Sequence, residues 1–493
     1  MHRSFWGAGA VLWAIWSPPL SRAQQIAPAG GVATVQNVLP GGTQSVNTIT
    51  STVQVQGTYA GSVPSAQTPG ASLALSLAEG IRRGLEYNLG NVSFQNSVRQ
   101  AEGERRVALS TLLPNITGYL LFTEEQVDLA AFGFSFSAPG FSIPQVVGPF
   151  HYFDLRTRAT QTLFDLTAKR NYRASQENLR ATQLSAQDAR DLVVLAVTGG
   201  YLSIISASAR IDSARAQVAT AQATYQQAVD RHDAGVAARI DVTRTQVELQ
   251  TQQQRLISQE TDYAKQKIQW GRVIGLPPGQ EFSLTDALPF APLEGLTLEQ
   301  ALERAGTNRP DLKAAQAQIQ AAQLQKKAAE AEHYPTADLS VDYGVIGTSP
   351  TSSHGTFTLT GAVHFPIWLG GRVRGDIEQA DAAFRQRRAE YEDLRGRVDA
   401  DVRQAFLDLT AAASQVSVAQ SNRELARDTL TQARDRFAAG VADTIEVVQA
   451  QETVVTADQD YISSLYAHNL AKASLARAMG QAEQGIQSLL GRP

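Results

Sequence analysis

The feature that most restricts what this chain can fold into is a stretch that occurs twice. Asp230-Arg231-His232-Asp233-Ala234-Gly235-Val236-Ala237-Ala238-Arg239-Ile240-Asp241-Val242 returns as Asp435-Arg436-Phe437-Ala438-Ala439-Gly440-Val441-Ala442-Asp443-Thr444-Ile445-Glu446-Val447, 205 positions later (440 − 235). Each copy separates two long segments of helical spacing. A glycine that ends one helix, followed at once by residues suited to start another, marks a reversal. Each copy therefore reads as the tip of a long helical hairpin. The recurrence continues upstream, where Leu75 and Leu296 lie 221 positions apart, as do Pro114 and Pro335. A repeat on this scale is read before anything else, and it divides the chain into units at 73–287 and 288–493.

The segments leading into the tips carry a seven-residue period. One position reads Ile377, Phe384, Tyr391, Val398, Ala405, Ala412, Ala419, Ala426, Ala433, Gly440, and its counterpart reads Tyr172, Leu179, Ala186, Val193, Gly200, Ala207, Ala214, Ala221, Ala228, Gly235. A heptad held this long implies helices packed lengthwise as in a coiled coil. Small side chains toward the tips allow close approach of axes, so the bundle is expected to narrow there. Helices are expected over 168–234 and 372–439, with return helices over 240–274 and 445–479.

After each proline the period drops to two. Ala337, Leu339, Val341, Tyr343 and Val345 alternate with polar residues, as do Phe357, Leu359, Gly361, Val363 and Phe365. The first half repeats this with strands expected over 116–122 and 151–163, joined by a loop over 123–149 that is rich in Phe, Ala and Pro. Each strand has one apolar and one polar face and is near the roughly 9–11 residues that cross a tilted membrane barrel. Tyr119, Tyr152, Phe153, Tyr343, Phe365 and Trp368 are candidates for aromatic girdles, although Trp368 is expected to pack where strands meet helices. Asp154, Arg156 and Arg158 face either a lumen or solvent. Four strands cannot close a barrel alone, since about eight is the minimum, and open edges are not tolerated in lipid. Several chains must then share one barrel, and three would supply twelve strands.

Residues 1–23 read as a secretory signal, with Arg3, an apolar core from Phe5 to Trp16 and Ser21-Arg22-Ala23 as the cleavage site. Beyond it, no apolar run suited to a transmembrane helix is expected. Residues 24–72 form a leader, and no charged residue occurs from Gln24 to Ser76. It is expected to be extended, wrapping a surface or mobile, with one short strand at Val53 and Val55. The chain has no cysteine and a net charge of −4, which excludes disulfides and thiolate chemistry and gives no push toward nucleic acid. Seven scattered histidines form no metalloprotease motif, and neither a nucleophile elbow nor a phosphate loop is present. Neither enzyme, cofactor nor metal is expected.

The order of elements, the two Ala-Gly-Val tips with Ile240-Asp241-Val242 and Ile445-Glu446-Val447, the Leu-Ser/Thr-Leu starts and Gly370-Gly371-Arg372 together resemble the TolC-type outer-membrane efflux protein family, over about 73–480. The resemblance implies a mixed fold: α-helical hairpins forming a periplasmic coiled-coil tunnel, and a transmembrane β-barrel shared between subunits of a homotrimer. It implies an exit duct across periplasm and outer membrane, embedded in outer-membrane lipid. A periplasmic adaptor (membrane fusion protein) and an inner-membrane transporter would dock at its tip. Asp241, Asp443, Glu446 and Gln449 match the periplasmic aperture, or gate, and Gly235, Val236, Gly440 and Val441 match the docking tips. Ala442 stands where some members carry a basic tethering residue, and Gln449 where many carry Asp. A secreted periplasmic coiled-coil scaffold or adhesion protein without a pore is the alternative.

Overall fold

The computed structural model describes residues 32–38, 50–65, 70–133, 137–138, 141–142, 144–286, 290–293 and 295–489; the expected signal segment, 1–23, lies outside them. In chain order the strands are β1 (Val32–Val38), β2 (Thr50–Gln56), β3 (Leu73–Leu75), β4 (Asn115–Asp128), the two-residue β5 (Ser137–Ala138) and β6 (Phe141–Ser142), β7 (Val146–Phe164), β8 (Phe282–Leu284), β9 (Thr336–Gly347) and β10 (His354–His364). The helices are α1 (Leu77–Tyr87), α2 (Leu89–Ser110), α3 (Leu166–Asp233), α4 (Arg239–Val273), α5 (Leu298–Asn308), α6 (Pro310–Ala331), α7 (Arg372–Ala438), α8 (Thr444–Ala478) and α9 (Ala482–Leu489).

Two helices set the length of the molecule. α3 and α7 run for 68 and 67 residues, about 100 Å each at 1.5 Å per residue. Asp165 caps the first by accepting from the Ala168 amide at 2.8 Å. Near the tips the neighbours run α4–α3–α8–α7, and toward the sheet they run α2–α3–α6–α7. The heptad position is the packed one: Leu179, Val193, Ala207, Ala221 and Ala228 are buried in α3, and Val398, Ala405, Ala412, Ala419, Ala426 and Ala433 in α7. Only the terminal glycines, Gly235 and Gly440, emerge into solvent.

The helical segment before each proline is broken once, at positions 221 apart (309 − 88). Asn88 has extended dihedrals, and its buried side chain donates to the Tyr59 and Val273 carbonyls at 2.8 and 3.2 Å while accepting from the Gly90 amide at 2.9 Å. Arg309 makes the equivalent break before Pro310, a residue suited to the first turn of a helix. Its buried guanidinium pairs with Asp311 at 2.6 Å and Asp401 at 3.1 Å. The same bend is thus fixed by an amide in one half and by an ion cluster in the other.

The four long strands form one antiparallel sheet in the order β10-β9-β7-β4. Register places Ile116, Ala159, Val341 and Leu359 in one row, and Leu120, Leu155 and Val345 in another on the same face. The opposite face carries Thr117, Arg158, Asp342 and Thr358, and beside them Tyr119, Arg156, Gly344 and Thr356. Among the described residues β4 and β10 each lack a strand neighbour on one side.

Four expectations need correction. Thr123–Asp128 and Val146–Pro149 continue β4 and β7 rather than forming a loop, because pairing extends through Val127 and Val147 after a bulge at Glu125. Within the leader, the described residues hold two strands rather than one. β1 and β2 form a hairpin lying on α3 and α8, with Val53 seated so closely on Gly199 that a Cβ there would collide with it. Trp368 does not pack at the strand–helix junction: it is 85% exposed, beside Ile367 at 95%. Finally, α3 does contain an 18-residue stretch of mean hydropathy 1.8, apolar enough to cross a membrane by length and composition. It is 67% buried within the chain, where Val193, Val197, Tyr201 and Ile204 pack with Trp270 and Phe282 in one apolar core. Trp270 donates its indole N–H to the Val197 carbonyl at 2.9 Å.

Candidate functional site: the sheet interior and the hairpin tips

The polar face of the sheet holds a compact charge cluster. Arg156 pairs with Asp342 at 2.5 Å and Asp154 at 3.3 Å, and it donates to the Thr356 hydroxyl at 3.3 Å. Three strands contribute, and all of these side chains lie on the face opposite Leu120 and Leu359. Arg158 lies one pleat further along β7, over the Tyr119 ring at 5.8 Å. One apolar face and one charged, hydrogen-bonded face is the two-sided make-up of strands in a membrane barrel.

The two tips are built on the same turn. Gly235 and Gly440 have φ of 73° and 76°, a region open to glycine at little cost. The amides of Val236 and Val441 reach back to the carbonyls of Arg231 and Arg436, each at 3.0 Å. With the Gly235→His232 and Gly440→Phe437 bonds at 2.9 and 3.0 Å, each tip satisfies its last carbonyls by a Schellman arrangement. Val236 and Val441 project outward, 75% and 66% exposed.

The helices leaving the tips start differently. Asp443 caps α8, its carboxylate accepting from the Ile445 and Glu446 amides at 3.0 and 3.2 Å. α4 starts at Ala238 with no side-chain cap. Asp241 instead reaches across, accepting from the buried Thr444 hydroxyl at 2.7 Å. Arg244 joins the group, donating to the same hydroxyl at 3.2 Å and lying 3.5 Å from Asp241. A second tie runs between the ends of α3 and α7, where the Arg231 guanidinium stacks on Phe437 at 4.4 Å and donates to the Ala438 carbonyl at 3.3 Å.

Of the sequence-derived aperture residues, Asp241 is thus committed to the other hairpin and Asp443 to capping. Glu446 is half-exposed and pairs with Arg436 of its own hairpin at 2.9 Å, while Gln449 faces solvent. Arg244, Arg231 and Phe437 escaped sequence reasoning, whereas the contrast of Thr444 with Arg239 already marks the two hairpins as unequal at the gate. The signal for Phe437 was the same asymmetry between copies, since it stands opposite His232.

The family model for outer membrane efflux proteins matches residues 93–276 and 301–481. Protein CyaE of Bordetella pertussis is 28% identical over 308 residues, covering 60% of this chain and 63% of that protein. The toluene efflux pump outer membrane protein TtgF of Pseudomonas putida is 25% identical over 339 residues, covering 65% of this chain and 66% of TtgF. The matched region thus spans just under two thirds of those relatives' lengths. Among solved structures, the CmeC outer membrane channel of Campylobacter jejuni superposes with a TM-score of 0.71 at 13% identity, covering 92% of this chain and 98% of CmeC. Both long helical hairpins fall within the matched segments, on a fold shared with a solved channel: the chain belongs to the outer membrane efflux protein family.

Proposed function

We propose that three copies of this chain close into one duct. Three four-stranded sheets complete a twelve-stranded barrel in outer-membrane lipid, and the helical hairpins complete a periplasmic tunnel. The observation that carries this reading is the pair of unsatisfied sides on one protomer. Among the described residues β4 and β10 present bare strand edges, which lipid does not tolerate. On the helices beneath, Val247, Ile257 and Ile268 of α4 and Leu407, Val418 and Leu425 of α7 are each more than half exposed, on the two outermost helices of the layer. Each bare side suits the opposite side of a neighbour, which is how a rotationally closed ring forms.

On this reading the chain is the exit segment of a tripartite efflux pump or a type I secretion system. The periplasmic adaptor docks at Gly235, Val236, Gly440 and Val441, and an inner-membrane transporter loads the tunnel. Asp241, Asp443, Glu446 and Gln449 ring the aperture, with Asp241 also holding the tip shut through Thr444 and Asp443 fixing the start of α8. The two units, 73–287 and 288–493, derive from one duplicated ancestor, an inference supported by equivalent helix breaks 221 positions apart and tips 205 apart.

Mild-detergent extracts of outer membranes should yield a trimer, and the purified protein should add discrete conductance to a planar bilayer. Leu425→Arg should weaken the trimer while leaving the protomer folded. Monomer throughout, together with a silent bilayer, would return the chain to the scaffold reading.

A further inference from the structure

The β1–β2 hairpin roofs two adjoining cavities, of about 550 and 260 Å³. They share Thr52, Ser203, Gln266 and Tyr466 as walls. The smaller is lined by polar side chains throughout and contains Arg210, a half-buried guanidinium that donates to the Ser463 hydroxyl at 3.0 Å. Among the described residues that line this cavity there is no carboxylate to pair with Arg210. The roof cannot bring one, because no charged residue occurs from Gln24 to Ser76. Ser206 also lines this cavity; it is 3% exposed, and its hydroxyl has no hydrogen-bond partner. The larger cavity is walled by Val53, Val55, Val273 and the edge of the buried Trp270, with Gly199 and Gly200 among its lining residues and Gln269 and Arg272 adding polar groups.

An unneutralised arginine beside an unpartnered buried hydroxyl is a costly arrangement unless something completes it. Apolar walls with a few convergent polar groups are the usual make-up of a small-molecule site. We propose that this double cavity binds a small organic anion, its carboxylate held by Arg210 and Ser206 and its flat apolar body lying against Trp270 under the hairpin. An arginine fork suits a carboxylate geometrically. The site stands apart from the duct and the tips, and it would tie the seating of the leader to a solute rather than to the exported cargo.

Trp270 is a built-in reporter. After removal of 1–23 the only other tryptophan is Trp368, so the full-length protein is studied as Trp368→Phe. Benzoate should change Trp270 emission saturably, while benzamide, of the same shape without charge, should leave it unchanged. Arg210→Gln should weaken benzoate binding at least tenfold, and Ser203→Leu, which fills the shared wall, should abolish it with the charge retained. An equal response to benzamide overturns the proposal. So does benzoate binding that survives Ser203→Leu in a protein with parental circular dichroism, which separates loss of the site from loss of the fold. Inorganic phosphate competing as well as benzoate would overturn the claim for the apolar body.

Discussion

The two hairpins share a turn but not a way of holding it. The second is self-contained. Its return helix is capped by Asp443, its Glu446 folds back onto Arg436, and an apolar core of Leu430, Phe437, Val447 and Val454 fills the space between α7 and α8. The first has an uncapped start at Ala238, and in the tip half of α4 its buried residues are Thr245, Leu249 and Gln252. Its Asp241 finds a partner on the other hairpin. The first tip is therefore positioned by the second. Loss of the cross-tie should release the first hairpin before it disturbs the second.

The strongest way to break this contrast is at the equivalent pair Phe437 and His232. Phe437 is 6% exposed and carries the Arg231 stack, so Phe437→Ala should cost about 3 kcal/mol. His232→Ala, at an exposed site, should stay within about 0.5 kcal/mol. Thermal melts of both variants decide it; equal losses would refute the asymmetry.

The roots of the hairpins offer a second contrast, through pH. Past the end of α8, α9 is held on α3 by the Arg190–Glu483 pair at 2.5 Å and by Asp191, which accepts from the Glu483 amide at 3.1 Å. Burial pushes the Asp191 carboxyl up to about 6, and burial also raises Asp188 beside it. The folded state therefore holds a proton that the unfolded chain releases nearer 4. That stabilisation is complete below about 4 and is lost as pH rises through about 6, an effect on the order of 2 kcal/mol. Amide exchange in α9, corrected for intrinsic rate, should be slower at pH 5 than at pH 7.5, while the root of α4 is unchanged. Faster exchange in α9 at pH 5 would reverse the sign and sink the assignment.

Thr444→Val tests the cross-tie itself. It strips Asp241 and Arg244 of a shared hydroxyl, for about 1–2 kcal/mol. Exchange should quicken at the first tip more than at the second, and bilayer conductance should rise. The smallest effects come from the caps. Asp443→Ala should lose about 1 kcal/mol, and Ala238→Asp should recover a similar amount in the first hairpin. If Ala238→Asp leaves exchange at the first tip unaltered, its looseness does not originate in the missing cap.

Much of the fold was legible because it is periodic. Heptads, alternation and the two glycine turns are local signals, and they placed the long helices and the strand cores within a few residues of their observed ends. The errors have separate causes. The leader hairpin depends on Gly199 leaving room for Val53, a contact between residues 146 positions apart (199 − 53) that no local pattern encodes. The strand extensions run through a bulge, where alternation slips by one residue. Trp368 was assigned to packing on residue type alone, although Pro366 and the Gly370-Gly371 pair beside it break both helix and strand. At the tips the turn was readable and the partners were not, since Asp241 looks like any acid in a first helical turn.

On the proposed duct, a sheet with one apolar face and, among the described residues, two bare edges also sets the danger that each newly exported protomer meets. It has neither lipid over Leu120 and Leu359 nor a strand beside β4 and β10. Bare edges accept any extended chain that reaches them, so the interval before closure is the hazardous one. On the proposed trimer, its length depends on how often three protomers meet. Yield should therefore respond to supply more than to melting temperature: scarce protomers linger and are degraded, and abundant ones meet the wrong edges.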